Sequence, residues 1–434
     1  MKTRKSWVVL ALAYGAALVV GVASGSAASA ESARSTAPSA ANEEVTLRAL
    51  FASINQPAQE ILNKNFERVY PNIKIQAQYL SSDALATLLV TQLQAGNAPD
   101  VFSTVPGRSS PGSVWSLAEA HRLLNLSNRA WEKRIYPAGL PFVSWNKSVF
   151  AWPLTVTPYG VIYNQDLFRQ LGLRVPATFS QVISMCRKIS AAGKVPFVQA
   201  FGNPVASIII GRQRAAQYVF SVDPQWTAKR RKGQVTFAGS PQWRRALDSI
   251  ADMNREGCFQ RGAAGTSRPQ QYASLARGEA VMSIMSGAEL ASVQQLNPNL
   301  KLAMFNLPAD KAANSAVFAA ATLNISGNAA TRHAGHVRTF IDFMAREKQS
   351  SLFSRVSGAI APLDLKKGII PAYMKSGLGP FFAKKKIVGS VDYGWPNSSV
   401  WSQGAVPGIT GLITGQTTVD EVLGNMDRLW AAGR

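Results

Sequence analysis

His333 and His336 stand three residues apart where a helix begins, a spacing that brings two imidazoles to one helical face and could seed a metal site. No third ligand is legible beside them, so they read as polar residues of a solvated first turn and no metal site is expected. Cys186 and Cys258 are the two thiols of the chain. Neither has a histidine neighbour, which removes a two-cysteine metal site. They either pair with each other or remain two separate buried thiols. Asp and Glu together number 24 in 434 residues, with no spacing that singles out a glycosidase pair. Gly-x-Ser-x-Gly, a P-loop, a dinucleotide fingerprint and His-Glu-x-x-His are all absent from the sequence. The chemistry on offer is recognition by aromatic, amide and arginine side chains, which hold a ligand by stacking and hydrogen bonding and need no cofactor.

Such groups need a scaffold. From Val45 the chain alternates strand and helix. Val45–Leu50 reads as a strand; Pro57 opens a helix with a stripe of Ile61, Leu62, Phe66 and Val69, closed by Pro71. Ile73, Ile75, Ala77 and Tyr79 alternate with polar residues as a half-buried strand. Leu85, Leu88, Leu89 and Leu93 mark a second helix ending at Gly96, and Val101–Ser103 a third strand. This β-α-β-α-β order implies a mostly parallel sheet with helices on both faces. Ligands bind beyond the carboxyl ends of such strands, here the loops Phe51–Gln56 and Thr104–Arg108. Trp152–Phe168 then reads as a crossover into a second domain: Pro153 and Pro158 hold the backbone extended, Val161–Tyr163 forms a strand, and Asn164 caps a helix ending at Gly172. Further helices are expected at Thr178–Ala192, Pro241–Glu256, Arg268–Ala276 and His333–Ala345, with a last one capped near Thr417. Ala280–Met285, Leu300–Leu307 and Ala316–Ile325 read as strands.

The first thirty residues have the form of an export signal: Lys2, Arg4 and Lys5, an apolar Trp7–Val22, and Ala28-Ser29-Ala30 before a cleavage point. The apolar run is short for a membrane span. No cysteine near Ala30 offers a lipid-attachment site, so the expected location is periplasmic or secreted. Residues 31–44 read as a disordered lead-in. Export favours a bond between Cys186, on the apolar face of the Thr178 helix, and Cys258, which follows the helix closed by Gly257. A formal charge of +22 raises the question of nucleic acid. The basic residues are scattered, and the runs Lys229–Lys232 and Lys384–Lys386 lack interleaved aromatics, so nucleic acid is not an expected partner. The charge disfavours polycationic ligands and permits neutral or anionic ones.

A set of short motifs runs through the mature chain in a fixed order: Gly96-Asn97-Ala98-Pro99-Asp100-Val101, then Pro153 with Tyr163–Phe168, then Arg277-Gly278-Glu279-Ala280-Val281-Met282. Gly358–Pro362 and Gly415–Val422 follow. In this order the chain resembles the extracellular solute-binding proteins of bacterial ABC importers, of the sugar-binding group that includes maltose-binding protein. The resemblance implies an α/β, two-lobe periplasmic-binding-protein fold: mostly parallel sheets flanked by helices, joined by three hinge crossovers. Lobe I would hold residues 45–155 plus 320–365, and lobe II 160–316 plus 370–434. The cysteine placements resemble a disulfide-bearing subset. A monomer would close by hinge motion on a sugar or polyol and dock on permease transmembrane subunits.

By match to the family's cleft positions, ligand contacts are expected from Asn55 and Gln56 after the first strand and from Thr104 and Arg108 after the third. Tyr159 would contribute at the crossover, and Asn203, Trp395 and Trp401 from lobe II, Trp401 by stacking. Asn55 also suits the cap of the Pro57 helix. Trp115, Trp145 and Trp243 read as packing. Ala288 stands where many relatives have Trp, and Thr104 where some have an aromatic residue; both departures point to a small or modified sugar, or a polyol, and Arg108 leaves room for an acidic or phosphorylated one. Two other functions fit the same chain. A secreted polysaccharide hydrolase would show two carboxylates converging in the cleft. A sensor or scaffold would use the same fold to feed a membrane receptor.

Overall fold

A computed structural model describes residues 44–433 apart from 109, 137–138, 363–369 and 397. The export signal and nearly all of the lead-in lie outside the described residues. The strands are β1 (Val45–Ala52), β2 (Ile73–Leu80), β3 (Val101–Thr104), β4 (Ser144–Trp145), β5 (Ser148–Val149), β6 (Trp152–Pro153), β7 (Val156–Asn164), β8 (Val195–Phe197), β9 (Ala280–Ser286), β10 (Leu302–Phe305), β11 (Val317–Ala321), β12 (Asn324–Gly327) and β13 (Ile387–Val388). They form two main sheets, ordered β2-β1-β3-β12-β6 and β13-β11-β7-β9-β8, with β10 also paired to β7. β1 runs parallel to β2 and β3, as the β-α-β-α-β reading requires. Antiparallel pairing enters where strands arrive from the other sheet: β12 against β3 and β6, and β7 against β9, β10 and β11. Both sheets are therefore mixed, because a chain that crosses over and returns comes back with its direction reversed.

The helices carry the expected signals with instructive shifts. Gln56–Val69 has Pro57 in its first turn and buries Leu62 and Phe66, whereas Ile61 and Val69 lie exposed on the opposite side of the stripe. Asn164 caps Gln165–Gln170 by accepting from the Asp166 and Leu167 N–H groups at 3.0 and 3.1 Å. Thr178 caps Phe179–Ala191, but Gln181 accepts from Ala177 rather than from the cap residue, so only half of a capping box forms. Thr418 and Glu421 form a complete box before Val419–Ala432. Cys186 and Cys258 are bonded, with Cα atoms 5.1 Å apart, and tie Phe179–Ala191 to the segment after helix Pro241–Arg255.

The chain passes from the first sheet to the second between β6 and β7, and returns between β11 and β12. The apolar run Ala316–Ile325, read as one strand, is thus two strands in different sheets. A third passage lies between helices Glu347–Val356 and Ala372–Ala383, where Ile360 pairs with Val156 at the start of β7. One large apolar core, including Leu50, Phe66, Phe102 and Phe340, runs from the first sheet; the other, including Phe197, Trp243, Met282 and Trp430, fills the second.

Candidate functional site

The loop leaving β3 meets the segment that follows β13. After β3 the chain turns at Gly107, whose φ of +60° suits glycine alone without strain. The Gly107 N–H donates to the Phe142 carbonyl and the Arg108 N–H to the Tyr393 carbonyl, both at 2.8 Å. A β-carbon at Gly107 would lie 2.6 Å from the Tyr393 carbonyl oxygen. Glycine is therefore required for this approach between a first-sheet loop and the segment that follows β13.

Beyond this contact lies an inner cluster. Arg212, from helix Pro204–Ala215, ion-pairs with Asp392, and its guanidinium lies 5.3 Å from the Tyr393 ring centre and 5.8 Å from that of Trp401. Burial alone would lower the Arg212 pKa, but Asp392 beside it raises it, so this cation is held firmly charged. Burial raises the pKa of Tyr159 well above the usual phenol value, Tyr393 adds to the effect, and Arg212 opposes it. Tyr159 pairs with Ser286 across β7 and β9. There Glu289 accepts from the Ser286 N–H and hydroxyl at 2.8 Å each and from the Tyr272 hydroxyl at 2.7 Å, and it ion-pairs with Arg268. Both cations of the inner cluster are thus matched by a carboxylate.

Next to it is a pocket of about 490 Å³, within the range of small-molecule sites, ~300–1,000 Å³. Arg108, Trp115 and Trp145 line it from the first-sheet side. Arg231, Gly394, Trp395, Pro396 and Trp430 line it from the other. Trp115 and Trp145 pack at 5.9 Å, and the Arg108 guanidinium stands 5.4 Å from the Trp145 ring centre while bonding Glu119 at 2.7 Å. Trp395 belongs to an aromatic cluster with Phe237, Trp243 and Trp430, at centroid distances of 5.4, 6.0 and 5.6 Å. Arg231 donates to the Gly394 carbonyl.

Of the residues expected to contact ligand, Arg108 and Trp395 meet in this pocket. Tyr159 borders the inner cluster. Trp401 stacks on Trp395 at 5.7 Å with planes 5° apart, and both rings are buried, 6% and 2% exposed. Thr104 is buried with its hydroxyl 2.9 Å from that of Ser326. Asn203 caps helix Pro204–Ala215 through Val205 N–H at 3.0 Å. Asn55 occupies the cap position of Gln56–Val69 without a side-chain cap bond, and Gln56 donates to Glu60 at 2.8 Å. Sequence reasoning assigned Trp115 and Trp145 to packing, and it noted Arg231 only within the basic run Lys229–Lys232. It did not single out Arg212, Asp392 or Tyr393. No local motif marks these residues; the one available signal was the Tyr393-Gly394-Trp395-Pro396 string, two aromatics around a glycine and before a proline.

Comparison with known proteins decides the family. The family model for bacterial extracellular solute-binding proteins matches residues 48–350. The chain belongs to this family. It is 25% identical to the multiple sugar-binding protein of Streptococcus mutans over 304 residues, 68% of this chain and 70% of that protein. It is 23% identical to the melibiose/raffinose/stachyose-binding protein MelE of Bacillus subtilis over 253 residues, 56% of each chain. Among solved structures, apo RafE from Streptococcus pneumoniae superposes with a TM-score of 0.74 at 19% identity, covering 90% of this chain and 98% of RafE. A sugar transporter protein of Bacillus licheniformis in complex with stachyose gives a TM-score of 0.66 at 17% identity, covering 90% and 100%. At these identities the structures establish the two-lobe α/β fold. A solute-binding protein holds its ligand without making or breaking bonds, and family membership thus sets the enzyme reading aside. Among the described residues no helix is long and apolar enough to cross a membrane.

Proposed function

We propose that this protein is the extracytoplasmic substrate-binding component of an ABC importer and that it captures a sugar between its two lobes. The observation that carries this reading is the pocket of about 490 Å³ whose lining joins Arg108 and the half-buried Trp115 and Trp145 on one side to Arg231 and the Gly394–Pro396 segment on the other. Indole rings present flat, rigid surfaces to the C–H faces of a pyranose, and guanidinium forks donate paired hydrogen bonds to its hydroxyls. The relatives named for sugars support the ligand class. In this reading residues 45–155 plus 320–365 form one lobe and 160–316 plus 370–434 the other. Arg108, Tyr159 and Trp395 border the ligand path, Trp401 packs against Trp395, and Asn55, Gln56, Thr104 and Asn203 shape the surrounding loops. Residues 1–30 direct export and are removed, and the mature monomer delivers its ligand to permease subunits.

The test is a thermal-shift screen of the mature protein against mono- and oligosaccharides, polyols, uronic acids and sugar phosphates, followed by calorimetry. A ligand that binds only the folded state stabilises it by RT ln(1 + [L]/Kd), about 2.7 kcal/mol at a hundredfold excess over Kd. A panel that leaves the midpoint unmoved refutes the sugar reading.

A further inference from the structure

The three passages of chain meet at one junction between the two sheets. Val156, at the start of β7, pairs with Ala321 at the end of β11 and exchanges two backbone bonds with Ile360, at 2.8 and 3.0 Å. A side chain bolts this junction. Tyr373, in the first turn of helix Ala372–Ala383, places its hydroxyl 2.8 Å from the Gly358 carbonyl oxygen and 3.0 Å from that of Gly287. Gly358 follows helix Glu347–Val356 at the start of the third passage, with a left-handed φ of +65°. Gly287 follows β9 in the second sheet, inside the turn where Ser286 and Glu289 form a capping box. The fit is close: a β-carbon on Gly287 would run into Met374 and come within 3.2 Å of the Tyr373 oxygen. We propose that Tyr373 is the latch of the hinge: its phenol ties Gly358 to Gly287 while the lobes are closed and releases Gly358 when they open.

The proposal rests on closure between two lobes, not on which ligand they close upon. A phenol has a single proton to donate, and here two acceptors share it. Tyr373 and Gly287 belong to the lobe of residues 160–316 plus 370–434, and Gly358 to the other, so the bond to Gly358 is the one that crosses. The bond from the Arg108 N–H to the Tyr393 carbonyl, at 2.8 Å, also crosses and marks this arrangement as the closed one. When the lobes part, the proton passes wholly to Gly287 and the Gly358 carbonyl turns to water. No buried donor is stranded in either arrangement, so the latch biases the closed form without locking it. Burial raises the Tyr373 pKa, and the hydroxyl therefore keeps its proton. Gly287 shares its turn with Glu289, the partner of Arg268, so the latch also steadies one wall of the inner cluster.

The experiment follows hydrogen exchange by NMR in the mature protein with no sugar added. The Arg108 N–H donates across the cleft to Tyr393, whereas the Gly107 N–H donates to Phe142 within its own lobe, so the first reports closure and the second is its control. Tyr373→Phe keeps the ring and removes the donor. The expected result is a protection of Arg108 lower by about fivefold, with Gly107 unmoved, and a larger radius of gyration by small-angle scattering. p-Aminophenylalanine at position 373 carries two N–H donors, one for each carbonyl, and should return Arg108 to the parent's protection or above it. Equal protection of Arg108 in Tyr373→Phe and the parent overturns the latch. An aminophenylalanine protein that exchanges like Tyr373→Phe also overturns it, since hydrogen bonding at this position would then have no effect on closure. If Tyr373→Phe does not fold, the aminophenylalanine protein decides alone: protection of Arg108 below the parent's refutes the latch, and protection at or above the parent's supports it. No saccharide enters the measurement, so its failure leaves the sugar-binding reading standing, and a sugar panel without a hit leaves the latch standing.

Discussion

Truncating Trp401 to alanine separates a ring that touches ligand from a ring that holds another ring in place. Trp401 is 6% exposed and packs between Trp395 at 5.7 Å, Trp243 at 6.2 Å and the Arg212 guanidinium at 5.8 Å. Helix Pro204–Ala215 runs so close beneath it that a β-carbon on Gly211 would sit 2.8 Å from the ring. Nothing adjacent can collapse easily into the space left behind, because the neighbours are other large rings locked by their own contacts. Emptying a site of this kind costs about 3–5 kcal/mol. The folded body that starts at Glu44 has about 390 residues. At about 2.1 cal/mol/K per residue its unfolding entropy is about 0.8 kcal/mol/K, so the midpoint should fall by about 4–6 °C if the body melts as one unit.

Affinity should change as well, though indirectly. Trp395 loses the surface it leans on, and Arg212 loses one of its two aromatic neighbours while keeping Asp392. Thermal and urea unfolding followed by circular dichroism measure the first effect; calorimetry with the best ligand, performed well below the midpoint, measures the second. Trp395→Ala is the matched control, since it removes both packing and a pocket wall. A Trp401→Ala protein that melts with the parent yet loses its ligand would refute the supporting role and make Trp401 the ring that meets the sugar.

Replacing Cys186 and Cys258 together by alanine opens a loop of sequence separation 72, worth about 4.4 kcal/mol on the chain-entropy account; free-thiol titration of the unreduced, denatured parent should find essentially none, and equal stability of parent and variant would contradict the cross-link. Gly107→Ala places a β-carbon against Tyr393 in a left-handed turn, which costs about 1–2 kcal/mol before any clash; weaker ligand binding and a larger radius of gyration by small-angle scattering are expected, and an unchanged protein on both counts refutes the lobe contact. Burial pushes the Asp310 pKa up, but bonds from Arg245 and Tyr218 outweigh it and hold the value below the ordinary one. A depressed folded pKa means that the stabilisation is present above the unfolded value, about 3.9, and is lost as pH falls through the folded one. Denaturant midpoints should therefore decline below about pH 4, less steeply in Asp310→Asn, and identical slopes would sink the assignment.

Local signals were legible wherever one residue type answers one backbone need. Asn164 before a helix, Pro57 in a first turn, and Gly96, Gly172 and Gly257 after helices all sit as the sequence implies, and the last cap, expected near Thr417, falls on Thr418, because capping and left-handed turns are decided within four residues. Alternation over Ile73–Tyr79 gave the strand and its half-buried character. The misreading of Ala316–Ile325 has the opposite cause. Its small apolar residues suit the interior of either sheet, so nothing in the run announces that β11 pairs with β7 while β12 pairs with β3.

The pocket was less legible for the same reason on a larger scale. Its charged corners are 123 positions apart, at Arg108 and Arg231, and its indoles come from Trp115, Trp145, Trp395 and Trp430. Each of those tryptophans is unremarkable alone: an aromatic near an apolar stretch is more often packing, and Trp243, Trp395 and Trp430 are indeed buried in one cluster, whereas Trp115 and Trp145 stay half-buried. What brings Trp115 and Trp145 to the edge of that cluster is the reversal of the chain at β12 and its final return after β13, which sets the loop after β3 against Tyr393. The backbone bond from Arg108 to Tyr393 marks the place where that return is made. It also explains why Arg108 meets Trp395 although neither lies in a motif with the other. Ligand binding should therefore respond to Gly107→Ala, at the meeting point of two distant loops, as well as to substitution of Arg108, the contact proposed beside it.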